Sequence, residues 1–202
     1  MEEKVKYFNY LEKERLERIF YKQPQEFDKK TDKDILKYAL GAFLYIPANK
    51  YEQIYKSVVN QEKEAKPLAI CLEDAISEFG EREAIENLKL VLDDLSKQVF
   101  CKLEKLPLIF IRVKNKEQLK KIKDILIKNK DFITGIIIPK ADSELLEDFI
   151  SILDNFNLNN LYIIPIIESS KFIYKEIKET QFQKMYYSIL NHKDKILGIR
   201  IG

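Results

Sequence analysis

Several side chains stand where a charge is costly unless it is paired or used. Glu73 and Asp74 directly follow the apolar run Leu68–Leu72, Arg112 lies within Leu108–Val113, Lys140 comes just after Ile133–Ile138 and Pro139, and Glu168 ends Leu161–Ile167. Two adjacent carboxylates suit the water shell of a hard divalent cation, because Mg²⁺ keeps several waters and takes only one or two carboxylates directly. The alternative is structural, a loop acid or a helix N-cap, with Asp74 placed to cap the segment behind it. Arg112 requires an anion, either a neighbouring Glu in an ion pair or a substrate carboxylate gripped bidentately. Glu168 requires a cation in turn, a metal or a base such as Arg112 or Lys140, since a buried lone carboxylate is costly. Lys140 could neutralise an anionic substrate or stand as a solvated strand-end lysine.

Other reactive residue types offer less. His192 is the single histidine and lies among Asn191, Lys193 and Asp194, which reads as a surface loop, so histidine-based acid–base or metal chemistry has little material. Cys71 and Cys101 are far apart and belong to no CxxC or Cys/His cluster, so both are expected to be reduced thiols, Cys71 as a small core residue. Tyr51, Tyr55, Tyr186 and Tyr187 read as packing residues on helices. No nucleophile elbow and no phosphate loop is present.

The elements that must position the charged residues follow from periodicity. Six short apolar runs, Ala42–Ile46, Leu68–Leu72, Leu108–Val113, Ile133–Ile138, Leu161–Ile167 and Ile196–Ile201, alternate with helical stripes. The stripes are Tyr51/Ile54/Tyr55/Val58, Ile85/Leu88/Leu92/Leu95, Leu119/Ile122/Ile125/Leu126 behind an Asn115 cap, Glu144–Leu153 opened by Ser143, and Phe172–Leu190. Near-continuously apolar strands are buried on both faces, and alternation with helices makes their sheet parallel. An open dinucleotide-binding sheet would carry a glycine-rich first turn, whereas here that turn is Pro47-Ala48-Asn49-Lys50. Asn49, Glu73, Asp74, Arg112, Lys140 and Glu168 instead sit at strand carboxyl ends, which in a (βα) barrel share one rim.

Residues 1–40 are expected to form an N-terminal helical extension, with a stripe of Leu11, Leu16, Ile19 and Phe20 and a cap at Thr31-Asp32-Lys33-Asp34, and residues 41–202 an incomplete TIM-barrel domain. About six of the eight βα units of a closed barrel are accounted for. The open edges of such an arc imply either a longer gene product or a second chain, as in a homo-oligomer, covering the gap.

Composition excludes other classes. With 46% apolar and 34% charged residues, the chain has the material for a packed core and is not disordered. The net charge of +2 with interleaved Lys and Glu gives no nucleic-acid footprint. No apolar run approaches the ~20 residues of a membrane span, and Met1–Lys6 opens no leader, so a cytoplasmic protein without membrane partners is expected.

The ordered motifs Gly41-Ala-Phe-Leu-Tyr-Ile-Pro-Ala-Asn49, Leu72-Glu-Asp-Ala75, Ile111-Arg-Val113, Ile138-Pro-Lys140, Ile164-Pro-Ile-Ile-Glu168 and Ile199-Arg-Ile-Gly202 resemble the HpcH/HpaI aldolase and citrate lyase beta subunit superfamily. The first of them is most similar to the TIM-barrel C–C bond lyase branch associated with tellurite-resistance and stress-response clusters. The resemblance implies a divalent metal, Mg²⁺ or alternatively Mn²⁺, with Glu168 as one ligand and an Asp falling just after Gly202 as another. It implies that Arg112 binds the carboxylate or enolate oxygen of a 2-oxo acid or acyl-CoA-derived fragment. Glu73 and Asp74 match the acids supporting the metal's water shell, and Lys140 matches a rim lysine. Gly41 stands where the citrate lyase branch has an arginine, which argues against citrate or citryl-CoA.

The expected activity is thus a metal-dependent carbon–carbon lyase acting on a small 2-oxo or hydroxy carboxylate or its CoA thioester, the catalytic set being Arg112, Glu73, Asp74 and Lys140. Without the Asp after Gly202 the residues in hand make an incomplete centre. The alternatives are a non-catalytic binding or assembly protein of a stress-response operon, and an acyl-CoA thioesterase using the same site.

Overall fold

The computed structural model describes residues 4–59, 67–73, 76, 80–101 and 106–202. Six parallel strands follow one another in sheet order: β1 (Leu44–Pro47), β2 (Leu68–Cys71), β3 (Ile109–Arg112), β4 (Ile133–Ile138), β5 (Tyr162–Ile167) and β6 (Arg200–Ile201). The connecting helices are α3 (Tyr51–Val59), α4 (Glu81–Cys101), α5 (Lys116–Lys121) with α6 (Lys123–Asn129), α7 (Ser143–Asn155), and α8 (Lys178–Asn191) preceded by a 3₁₀ turn over Ser170–Phe172. The sheet curls as the larger part of a TIM barrel with helices outside, as the alternation predicts.

Strand alternation sorts the side chains onto two faces. On β3, Ile109, Ile111 and Val113 join an outer cluster with Ile54, Val58, Leu88, Leu92, Leu119 and Phe149 of the helices. Leu108 and Phe110 join an inner cluster with Ala69, Ile137, Ile164 and Ile166. Two of the predicted helical stripes face the sheet as expected, with Leu88, Leu92 and Leu95, and Leu119, Ile122 and Leu126, completely buried. In the Phe172–Leu190 region, by contrast, α8 buries only Met185 and Ser188 and leaves Phe182, Tyr186, Tyr187 and Leu190 exposed. The Asn115 side chain caps α5 by accepting from Gln118 N–H at 2.9 Å. For α7 the cap is one residue earlier than expected, Asp142, which accepts from Leu145 N–H at 2.9 Å.

The inner layer closes around Gly135. Its strand partner is Phe110, whose ring also meets that of Phe43 at 5.1 Å between centroids. A Cβ on Gly135 would lie 2.3 Å from the Tyr162 carbonyl oxygen and 3.2 Å from the Phe110 ring, so only glycine admits this approach of β4 to β5.

Both strand prolines lie where no donor is needed. Pro47 is on β1, at one edge of the sheet. Pro165 is in a central strand, but the N–H groups of its register face β6. Ile163 donates to Lys195, and the ladder resumes only at Ile166↔Arg200. The missing donor of Pro165 therefore meets the interruption of β6 at Gly198-Ile199, which also explains why the predicted run Ile196–Ile201 is a strand only at its end.

The N-terminal segment departs from the predicted helices. α1 (Lys13–Ile19) buries no residue, and α2 (Lys33–Leu36) is one turn capped by Asp32 rather than Thr31, whose hydroxyl bonds Asp28 instead. What anchors the segment is non-helical. Val5 and Phe27 form an antiparallel bridge, and with Leu36 and Ala39 they enter the inner cluster beneath Ala69, Leu108 and Phe110. Lys29 and Lys33 donate to the Lys130 and Lys193 carbonyls, tying the segment to the loops that lead into β4 and β6. The α1 stripe reaches no core, with Ile19 exposed, Leu11 and Leu16 half-buried and Phe20 packed on Phe8, while the isolated Val5, Phe27 and Leu36 fill the barrel floor. No described helix is long and apolar enough to cross a membrane.

Candidate functional site

The carboxyl ends of β2, β3, β4 and β5 bring together four of the five predicted residues. Glu73, one residue past Leu72, has a side chain only 5% exposed, and its Oε2 pairs with Arg112 Nη2. The same nitrogen lies 3.5 Å from Glu168 Oε1. Lys140 Nζ reaches Glu73 Oε1 at 3.3 Å, and the Lys140 backbone N–H donates to Glu168 Oε1 at 3.1 Å. Arg112 and Glu168 are 13% and 25% exposed, so a ligand at the mouth could reach them, whereas Glu73 is sealed beneath. Asp74 lies outside the described residues. Asn49 is exposed and has no contact with the group among the described residues.

The local backbone explains this convergence. Cys71 and Arg112 are register partners, and the Leu72 N–H donates to the Arg112 carbonyl at 2.8 Å, so the strand order continues one step and delivers Glu73 beside Arg112. The buried Gln118 fixes the same turn from behind. Its amide nitrogen donates to the Leu72 carbonyl at 3.1 Å, and its oxygen accepts from Lys114 N–H at 2.7 Å. Lys140 adopts φ 49°, a left-handed turn uncommon outside glycine, and this aims its N–H at Glu168.

Two further residues belong to the group and were not singled out from sequence. Tyr45 of β1 lies with its ring centroid 5.8 Å from the Arg112 guanidinium carbon and 5.1 Å from that of Arg200 on β6. Arg200 Nη1 donates to the Tyr45 hydroxyl and stacks on Phe43 at 5.4 Å. Burial pushes the Tyr45 phenol above its ordinary pKa, against the pull of Arg200 and Arg112, so it stays protonated. Both residues sit in the quoted strand motifs. The missed signal was parity, since Tyr45 is two residues before Pro47 and shares the face of Phe43.

The residues with weaker claims find other employment. His192 ends α8 rather than lying in a free loop, and its Nε2 is 2.8 Å from Glu147 of α7, which also accepts from Ser188. Cys71 is a buried free thiol. Tyr51 and Tyr55 stack on one another against the outer cluster. A cavity of about 650 Å³ lies within the N-terminal segment, between residues such as Tyr7, Phe20, Phe27 and Tyr38, and no rim residue lines it.

The donor set suits a hard cation in kind. Glu73 and Glu168 offer only oxygen and both reach one Arg112 nitrogen, and Gly202 packs closely on Glu168, where a Cβ would lie 2.7 Å from Oε2. No group of three His, Cys, Asp or Glu residues converges among the described residues, so a cation here would depend on one or two carboxylates and water, as Mg²⁺ does.

Six parallel strands in chain order, curled with charged residues at their carboxyl ends, define the greater part of a TIM barrel. The family described as C–C bond lyase of the TIM-barrel fold matches residues 34–202, and the chain belongs to it. Its fold is similar to that of Haloferax volcanii malate synthase in a lead(II) complex, with a TM-score of 0.50 and 16% identity over 84% of this chain and 45% of that one. RipC from Yersinia pestis gives a TM-score of 0.48 at 16% identity, covering 79% of this chain and 56% of its own. CitE from Mycobacterium tuberculosis in complex with magnesium and acetate gives 0.48 at 16%, covering 83% and 56%. The chain thus spans about half the length of these structures. No curated protein matches it.

Proposed function

We propose that this chain supplies the rim of a carbon–carbon lyase that acts on a small 2-oxo or hydroxy carboxylate, or its CoA thioester, through an enolate. The observation that carries the reading is Arg112, held at the mouth between the buried Glu73 and the accessible Glu168 within a family of C–C bond lyases. Breaking a C–C bond beside a carbonyl leaves the bonding pair on carbon and oxygen, and fixed positive charge aimed at that oxygen lowers the barrier. Glu73 holds the Arg112 fork in place before substrate arrives, so little reorganisation accompanies binding. Lys140, whose side chain is 65% exposed, adds a second positive charge above Glu73.

Mg²⁺, or Mn²⁺ in its place, would be held by Glu168, with Glu73 and Asp74 supporting its waters. When bound it supplies Lewis-acid polarisation of the carbonyl. The CoA-thioester form rests on the family resemblance. The test uses the full-length gene product. Calorimetry should show Mg²⁺ binding that Glu168→Gln weakens by about tenfold or more. A screen with Mg²⁺ against 2-oxo acids and hydroxyacyl-CoA thioesters should then give C–C cleavage that depends on Arg112. Unchanged metal affinity in the Glu168→Gln protein removes Glu168 from the metal site. Turnover unaffected by Arg112→Lys removes Arg112 from the chemistry.

A further inference from the structure

Arg200 differs from Arg112 in one respect that bears on substrate choice. Arg112 is balanced by Glu73 and Glu168, whereas among the described residues Arg200 forms no ion pair with a carboxylate. Its contacts are the Tyr45 hydroxyl and the faces of Phe43 and Tyr45, which fix the plane of the guanidinium without neutralising it. It is half-buried on the inner face, paired with Ile166 two residues before Glu168, and therefore opens on the same mouth. Arg112 and Arg200 both approach the single Tyr45 ring. The charge of Arg200 has no carboxylate answering it among the described residues, and an anion reaching across the ring from Arg112 would supply one. Tyr45, having accepted from Arg200, keeps its own O–H to donate.

We propose that Arg200, oriented by Tyr45, is a second anion-recognising residue and that the site selects a dicarboxylate. One carboxylate or the nascent enolate goes to Arg112, and the distal carboxylate goes to Arg200. This rests on the reading of the rim as a carboxylate site and adds the substrate class.

The test compares oxaloacetate with pyruvate, which share the 2-oxo acid and differ in the distal carboxylate. Calorimetry on the full-length protein with Mg²⁺ should show oxaloacetate binding about tenfold or more tighter than pyruvate, the size of a charge-assisted hydrogen bond. Arg200→Gln should collapse that preference to within about threefold, by weakening oxaloacetate far more than pyruvate. Tyr45→Phe keeps the ring and removes the acceptor, and should lose part of the preference, with oxaloacetate again the more affected acid. Equal binding of the two acids by wild type overturns the proposal, as does an Arg200→Gln protein that retains the preference or weakens both acids alike. In those cases pyruvate binding that still depends on Arg112 leaves the rim reading intact. If neither acid binds, the dicarboxylate proposal falls, while Arg112-dependent cleavage of a hydroxyacyl-CoA thioester would still keep the rim reading.

Discussion

Glu73 and Arg112 meet at the carboxyl ends of adjacent strands, with the carboxylate almost wholly removed from water and the guanidinium between it and the mouth. Breaking such a pair from one side leaves a buried charge without its partner. Arg112→Ala should therefore destabilise the protein by about 3–5 kcal/mol, read as a lowered denaturant midpoint. Arg112→Lys, which keeps the charge but loses the fork, should cost clearly less. If Arg112→Ala unfolds at the wild-type midpoint, the pair is not buried as described.

Gly135 tests the inner layer. A methyl group there meets the Tyr162 carbonyl, which is backbone and cannot swing away, and then the Phe110 ring. Gly135→Ala should cost about 3 kcal/mol, at the upper end of overpacking effects. A thermal shift within error of wild type would mean that β4 and β5 lie farther apart. Pairing the change with Phe110→Leu should recover little, because the closest clash is with main chain.

Asp142 joins a helix cap to an ion pair. It accepts from Leu145 N–H at the start of α7 and lies 2.5 Å from Lys171 Nζ. Burial opposes its ionised form, but the hydrogen bonds from Lys171 and Leu145 prevail and hold its pKa below the usual carboxylate value. A depressed carboxyl contributes stability above its unfolded pKa, about 3.9, and loses it as pH falls through the folded value. Asp142→Ala should cost about 1–2 kcal/mol at neutral pH and remove that share of the acid-side loss. Asp142→Asn, which can still cap, should cost less. Parallel stability curves for wild type and Asp142→Ala between neutral and acid pH would contradict this.

Lys29 has the opposite sign. Burial, joined by Lys30 and Lys130 and resisted by Asp131, lowers its pKa to about 8. Between that value and its unfolded pKa of about 10.4, the unfolded chain binds the extra proton, so this residue's contribution makes stability rise with pH across the window. Below about 8 both states carry the proton and the cost of partial burial is constant. Lys29→Met should raise the melting temperature at neutral pH, by the equivalent of about 1 kcal/mol after allowance for its partial exposure. It should also flatten the alkaline rise. A lower melting temperature at neutral pH would show that the bond to the Lys130 carbonyl outweighs the burial cost.

The alternation of apolar runs with helical stripes was sufficient for the parallel order of β1 to β6. It also placed Glu73, Arg112, Lys140 and Glu168 on one rim, because strand ends of a βα array share one side. Cap positions were legible to within a residue, as Asn115 and Asp142 show, since a cap is decided by contacts three residues away. The N-terminal segment was not legible. Val5, Phe27 and Leu36 have no common period, and they become a unit only on the barrel floor.

What the order of residues determined was therefore local: which runs become strands, which faces turn inward, and which charges end up at carboxyl ends. Tertiary structure decided who meets whom across the mouth. Tyr45 and Arg200 are 155 positions apart on strands that share no ladder, and no spacing rule links them. They touch because twist and closure accumulate over the whole sheet and carry its first and last strands to facing sides of one interior. The same curvature sets one Arg112 nitrogen between two carboxylates from different strand ends.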